Sequence, residues 1–285
     1  MVSVCRAALA VFIIMPLSPA ISTFALAQQT DPNESDHSAP EYPGFKHLGS
    51  THKSAVGMGS GPSFATSIHV ELVESVKESM ACTEVLARAQ WRQDILLALD
   101  AKAHYDNCQF DTTNSYVEQL VNESVSAARE GRRDAALSAM GRALHAVQDF
   151  YSHSNYLELS LKKYGSLTEV PVLAVWTPEG RGQLIAMAGA GLVSGQVWWE
   201  PGNACASPSV THAQLNKDTP ASPNGEKLIS EWGVTNHQAA RELARRATLE
   251  FIRHMFAKSE MQFIAEDCKG QIGVLLLDDN RKGLQ

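Results

Sequence analysis

The sequence predicts a mainly α protein. Apolar residues recur at spacings of three and four along several segments, and no run shows the strict apolar–polar alternation of a half-buried strand. Composition agrees: of 285 residues, 44% are hydrophobic and 19% charged, enough to bury a real core. The net charge of −7 lacks the basic surplus that a structural nucleic-acid partner needs. It leaves a phosphate ligand open, because a bound cation can supply local positive charge.

From the amino terminus, residues 1–27 read as a signal peptide. Arg6 is the only charge, Ala7 to Ala20 is apolar but broken by Pro16 and Pro19, and Ala25-Leu26-Ala27 is a small-x-small cleavage site. Cleavage after Ala27 predicts a secreted or periplasmic protein. It removes Cys5 and leaves Cys82, Cys108, Cys205 and Cys268, an even set that suggests two disulfides in one of three pairings. None of the four lies in a CxxC spacing, which argues against a cysteine metal site.

Residues 28–45 are polar and Pro-containing and are expected to be flexible. The helical domain is expected over 46–270, with a tail at 271–285. Inside it, residues 55–66 are Gly/Ser-rich and loop-like. Helices are predicted at roughly 68–80 and from Thr83 to Lys102, the latter with mixed periodicity. A third runs from Ser115 to Glu130, with Val117, Leu120, Val121, Ser124, Val125 and Ala128 as its stripe and Gly131 as its stop. The strongest begins near Arg133 and passes Phe150, carrying Leu137, Met140, Leu144, Val147 and Tyr151 on one face, widened by Ala136, Ala139, Ala143 and Phe150. Residues 165–180 read as a short strand or apolar loop, and 198–226 as a long Pro/Ser/Asn-rich loop. A last helix starts with Asn236 as cap and buries Ala240, Leu243, Ala244, Ala247, Phe251 and Met255.

The chemistry sits on the strongest helix. His145, Asp149 and His153 lie at i, i+4 and i+8 and stack on one face. An imidazole–carboxylate–imidazole row suits zinc or a similar divalent ion, whereas a solvated face would carry Lys and Glu there. His104 and Asp106 precede Cys108 and can reach one site together. His237 opens the last helix, and His52 stands at a loop–helix entry. For His69 and His212 an exposed, solvated histidine is the preferred reading. Arg142 reads as a surface ion-pair partner, and Trp198, Trp199 and Trp232 as core or loop anchors. No GxSxG, Walker A, GxGxxG or HExxH motif is present.

The segment GRALHAVQDFYSHSNYLEL resembles the central motif of the HET-C family, and through it the zinc-dependent phospholipases C and single-strand nucleases. His104-Tyr105-Asp106, Asn216-Lys217-Asp218 and His237 with Ala244, Ala247 and Thr248 resemble further family segments in the expected order. The sequence departs from the phospholipases in carrying Arg241 where their last helix has a Glu, with Glu242 one residue late, and no Trp near Gln28. The resemblance implies a multi-helix, phospholipase C-like domain with long loops. It also implies one to three zinc ions held by His52, His104, Asp106, His145, Asp149, His153 and His237, with Asp106 and Asp149 as catalytic carboxylates. The activity it implies is phosphodiester hydrolysis at neutral pH, on phospholipid first, with transient contact to a membrane surface. A non-catalytic zinc-binding effector and a zinc nuclease are the alternatives.

Overall fold

A computed structural model describes residues 66–74, 80–197, 204–205 and 210–268. The expected signal peptide, flexible arm and C-terminal tail lie outside the described residues, as does His52. The described part is mainly helical. Its helices are α1 (Thr66–Glu74), α2 (Met80–Leu96), α3 (Phe110–Arg129), α4 (Arg133–His153), α5 (Tyr156–Leu161), α6 (Pro178–Gly189), α7 (His212–Leu215), α8 (Asn236–Phe256) and α9 (Gln262–Asp267). The strands β1 (Leu228–Ile229) and β2 (Val234–Thr235) pair antiparallel, Leu228 with Thr235 and Ile229 with Val234.

Helix α4 is the centre, packed against α2, α3 and α8. The alanines of its apolar face let those helices approach closely, and Leu137, Met140, Leu144, Val147 and Phe150 are fully buried. The stripe of α3 is buried at Val117, Leu120, Val121, Ser124 and Ala128, and that of α8 at Ala240, Leu243, Ala244, Ala247, Phe251 and Met255. After α3, Gly131 has φ +71°, a left-handed stop that a Cβ would resist.

Several boundaries differ from expectation, each for a local reason. Helix α2 ends at Leu96, and a 3-10 turn at Ala101–Ala103 follows, started by the Asp100 side chain accepting from the Lys102 amide. The cap of α8 is Thr235 rather than Asn236: its hydroxyl accepts from the Gln238 amide while Gln238 Oε1 accepts from the Thr235 amide, a reciprocal capping box. Helix α6 was not anticipated, although Thr177 caps it and Pro178 occupies its first position. The disulfides are Cys82–Cys268 and Cys108–Cys205. No helix among the described residues is long and apolar enough to cross a membrane.

Candidate metal centre

The row His145, Asp149, His153 does sit on one face of α4, but that face is not at the rim of the apolar stripe. All three residues are fully buried, because α1, the turn after α2 and the 210–218 segment cover them. Asp149 is the hub. Its Oδ1 lies 3.2 Å from His69 Nε2 and 3.9 Å from His153 Nε2. Its Oδ2 lies 2.8 Å from His104 Nδ1 and 3.1 Å from His145 Nε2.

The tautomers are set by what holds the opposite ring nitrogen. His104 Nε2 is 3.0 Å from the Leu97 carbonyl and His153 Nδ1 is 2.9 Å from the His104 carbonyl. A carbonyl only accepts, so each of those nitrogens carries the proton. His69 is fixed through a longer chain. The Thr248 hydroxyl donates to the Ala244 carbonyl and accepts from Gln148 Nε2, each at 2.8 Å. Gln148 Oε1 must then be the acceptor facing His69 Nδ1 at 2.6 Å and Gln90 Nε2 at 3.1 Å. Three imidazoles thus turn their remaining ring nitrogen inward, the arrangement that outer hydrogen bonds impose on metal-ligating histidines.

Four residues outside the expected ligand set join the cluster: His69, Asp94, His212 and Asp218. His212 Nδ1 is 3.0 Å from Asp106 Oδ1, and its Nε2 is 3.5 Å from Asp218 Oδ2. Asp218 Oδ1 is 3.0 Å from His153 Nε2 and accepts from the Ser152 hydroxyl at 2.5 Å. The solvated readings of His69 and His212 are therefore corrected: both are buried within the cluster. Asp94 of α2 joins His104 and His145 in a converging group; His69, His145 and Asp149 form another, and Asp106, His153 and His212 a third. Within each group the ligand atoms lie within 4.8 Å of one another. His237 belongs to none of these groups; its Nδ1 donates to the Lys217 carbonyl at 2.7 Å and props the loop that carries Asp218.

The segment that delivers His104 and Asp106 is strained. Tyr105, Asn107 and Cys108 have φ of 59°, 56° and 54°, the left-handed region that each non-glycine residue enters at a cost of order 1–3 kcal/mol. The strain is held by surrounding bonds. The Asn107 amide donates to Gly195 O, Asn107 Oδ1 accepts from the Val197 amide, and the Cys108 amide donates to Ser194 Oγ. The disulfide to Cys205 closes the same corner.

The electrostatics follow from burial and the shared carboxylates. Burial opposes the charged form of His69, His104 and His153, but Asp149 together with the neighbouring carboxylates (Asp94 at His69, Asp106 and Asp94 at His104, Asp218 and Asp106 at His153) outweighs it and raises all three. Burial opposes His212 likewise, and Asp106 then pushes it up to about 10. His145 is lowered to about 4 by burial and by the neighbouring His69. Burial opposes ionisation of Asp149 and Asp218, yet the imidazoles around them hold both below the usual carboxylate range. An ordered set of protons or of cations must occupy the space between these groups. The residues fit a divalent ion: Asp149 Oδ1 and His212 Nε2 are buried and have no hydrogen-bond partner among the described residues.

The sequence model of the VWA7 N-terminal domain matches residues 65–169, well under half of the chain but spanning α1 to α5. Von Willebrand factor A domain-containing protein 7 of Rattus norvegicus is 38% identical over 76 residues, which is 26% of this chain and 8% of the relative. The Homo sapiens and Mus musculus proteins of the same name match over 76 residues at 38% and 37% identity. The chain thus spans under a tenth of the length of these relatives. No solved structure matches it. These matches correct the expected membership in the HET-C family and its link to the zinc phospholipases C. The expected phosphodiesterase, the nuclease and the HET-C-type effector lose their support together. The geometry gives a physical reason. Arg241 pairs with Glu71, and Glu242 is engaged by Arg245 at 2.8 Å, so neither offers the inward carboxylate that the phospholipase pattern requires. What the chain resembles, over residues 65–169, is the VWA7 N-terminal domain.

Proposed function

We propose that this protein is an exported helical module that binds a divalent metal ion, zinc first, at a buried centre formed by His69, His104, His145 and Asp149. The observation that carries this reading is the convergence of three imidazole nitrogens, from three different elements, on one carboxylate within 2.8–3.2 Å. Two of those imidazoles have their far nitrogen committed as a donor to an oxygen. An imidazole–carboxylate donor set of this kind suits zinc. A bound ion supplies charge compensation for Asp149 and ties α1, α4 and the turn after α2 together. Full burial of His69, His145 and Asp149 favours a closed, structural role for this position. Export fits the sequence in front of Ala27 and the two disulfides.

The test is the metal content of the purified mature chain by mass spectrometry, with thermal unfolding followed before and after zinc is added. Zinc at a hundredfold excess over its dissociation constant stabilises the folded state by about 2.7 kcal/mol, which appears as a rise in Tm. Asp149→Asn should abolish that rise while the helical circular dichroism persists. An equal rise in Asp149→Asn, or no metal in the parent after zinc is supplied, would sink the reading.

A further inference from the structure

The segment that carries His104 and Asp106 is held in its strained conformation from two sides. Toward residues 194–197 the hold is three hydrogen bonds: the Asn107 amide donates to the Gly195 carbonyl, the Val197 amide to Asn107 Oδ1 and the Cys108 amide to Ser194 Oγ. Toward residues 204–205 it is one hydrogen bond, from the Ala204 amide to the Asn107 carbonyl at 2.9 Å, and the Cys108–Cys205 bond. Tyr105, Asn107 and Cys108 all have positive φ, so the segment relaxes when that hold is released. Relaxation reaches the metal centre at once, because His104 Nδ1 lies 2.8 Å from Asp149 Oδ2.

The two disulfides differ in access. Cys82 and Cys268 are 1% and 0% exposed and Cys108 is 9% exposed, whereas Cys205 is half-buried. Cys205 Sγ is therefore the sulfur that an attacking thiolate reaches. The Ser194 amide donates to Cys108 Sγ at 3.2 Å. A hydrogen bond to that sulfur stabilises its thiolate and makes Cys108 the better leaving group. Access and leaving-group chemistry thus select the same direction of attack.

We propose that the Cys108–Cys205 bond is a redox control on the metal centre: a dithiol reduces it, the segment from His104 to Cys108 relaxes, and the hold on the ion through His104 loosens. The proposal rests on the metal-binding reading above. One thiolate of the reductant attacks Cys205 Sγ, the S–S bond breaks, and Cys108 leaves as a thiolate. The second thiol of the reductant then displaces the Cys205 thiolate from the mixed disulfide. Two electrons pass to the protein, the dithiol becomes a cyclic disulfide, and its two protons end on the two cysteines. The coupling is reciprocal: if reduction weakens metal binding, bound metal resists reduction by the same factor. The Cys82–Cys268 bond, buried at both ends, takes no part.

The experiment equilibrates the mature full chain in buffers of reduced and oxidised dithiothreitol, with free zinc fixed by a metal buffer or removed by chelator. Alkylation followed by mass spectrometry reads which cysteines are reduced. Cys108→Ser/Cys205→Ser is titrated with zinc beside the oxidised parent. Cys108 and Cys205 should be reduced together while Cys82 and Cys268 stay joined. The variant should bind zinc at least tenfold more weakly than the parent. Saturating zinc should make the reduction potential of the Cys108–Cys205 bond more negative by about 30 mV or more, the same tenfold factor for a two-electron couple. That reading uses the parent alone, so it decides the matter even if the variant does not fold. Equal zinc affinity in a folded variant, a potential unmoved or raised by zinc, or earlier reduction of Cys82–Cys268 overturns the control and leaves the metal centre standing. No zinc bound by the oxidised parent removes the metal reading and the control together.

Discussion

At the scale of single residues, the centre is organised by who may donate to whom. Carbonyl and amide oxygens fix one nitrogen each of His69, His104 and His153, so the free nitrogens and the carboxylates confront one another across a few ångströms. Protons fill those contacts when metal does not. In the metal-free protein His69, His104, His153 and His212 have folded pKa values above the unfolded value of about 6.5. Such groups contribute stability that is fully present below the unfolded pKa and lost as pH rises through the folded one. His212, at about 10, sets the upper end of that window. Metal-free protein should therefore lose Tm between about pH 7 and pH 10. Zinc displaces the same protons, so its stabilising shift should grow from about pH 5.5 to pH 8. Thermal melts across that range, with chelator and with zinc, check both slopes, and a zinc shift that shrinks as pH rises would contradict the account. Lys217 gives a second residue-scale expectation. Its ammonium closes the carboxyl end of α4 on the carbonyls of Ser152 and Ser154, where a cation also meets the favourable end of the helix dipole, and donates to the Leu215 carbonyl of α7 as well. Lys217→Met leaves those carbonyls and Glu158 without that donor, and should cost about 2–4 kcal/mol in urea unfolding.

At the scale of elements, α4 was legible and its surroundings were not. The i, i+4, i+8 row and the apolar stripe both follow from helical spacing alone, and the structure puts both on α4. The depth of the row was not legible, because it depends on a loop returning from residues 210–218, whose partners are 60 or more positions away. His69 and His212 each stand alone in sequence, so no local spacing marks them. Asp94 did leave a trace: the mixed periodicity of α2 arises because Gln90, Gln93 and Asp94 are buried with Leu86, and both glutamines are committed to hydrogen bonds that frame the centre. Thr177-Pro178-Glu179 was a readable start signal for α6. One glycine carries the element-scale prediction. A Cβ at Gly195 would stand 2.4 Å from His212 Cα, against backbone that cannot yield cheaply. Gly195→Ala should push the start of α7 away and cost about 1–3 kcal/mol in urea unfolding, with the helical circular dichroism of the folded protein unchanged. An unchanged unfolding free energy would show that the backbone at His212 yields cheaply.

At the scale of the whole molecule, the matched stretch and the full centre do not coincide. Residues 65–169 supply α1 to α5 and with them His69, His104, His145 and Asp149, while His212 and Asp218 come from chain beyond that match. A covalent bond ties the two ends of the described fold together. Cys82 lies near the start of α2 and Cys268 just after α9, 186 residues apart, and both are buried. A crosslink over so long a loop acts chiefly by restricting the unfolded chain, worth about 5 kcal/mol by loop-closure entropy. The centre is separate from it: no cluster ligand belongs to α9, and the bond leaves the contacts of Asp149 untouched. Cys82→Ala/Cys268→Ala should therefore lower the unfolding free energy of the metal-free protein by about 3–5 kcal/mol and leave its zinc stoichiometry unchanged. Urea unfolding in the presence of chelator gives the first quantity, and zinc counting at a temperature where the variant stays folded gives the second. Loss of zinc from the folded variant would mean that the far crosslink, and not only the ligand-bearing segments, holds the centre in shape.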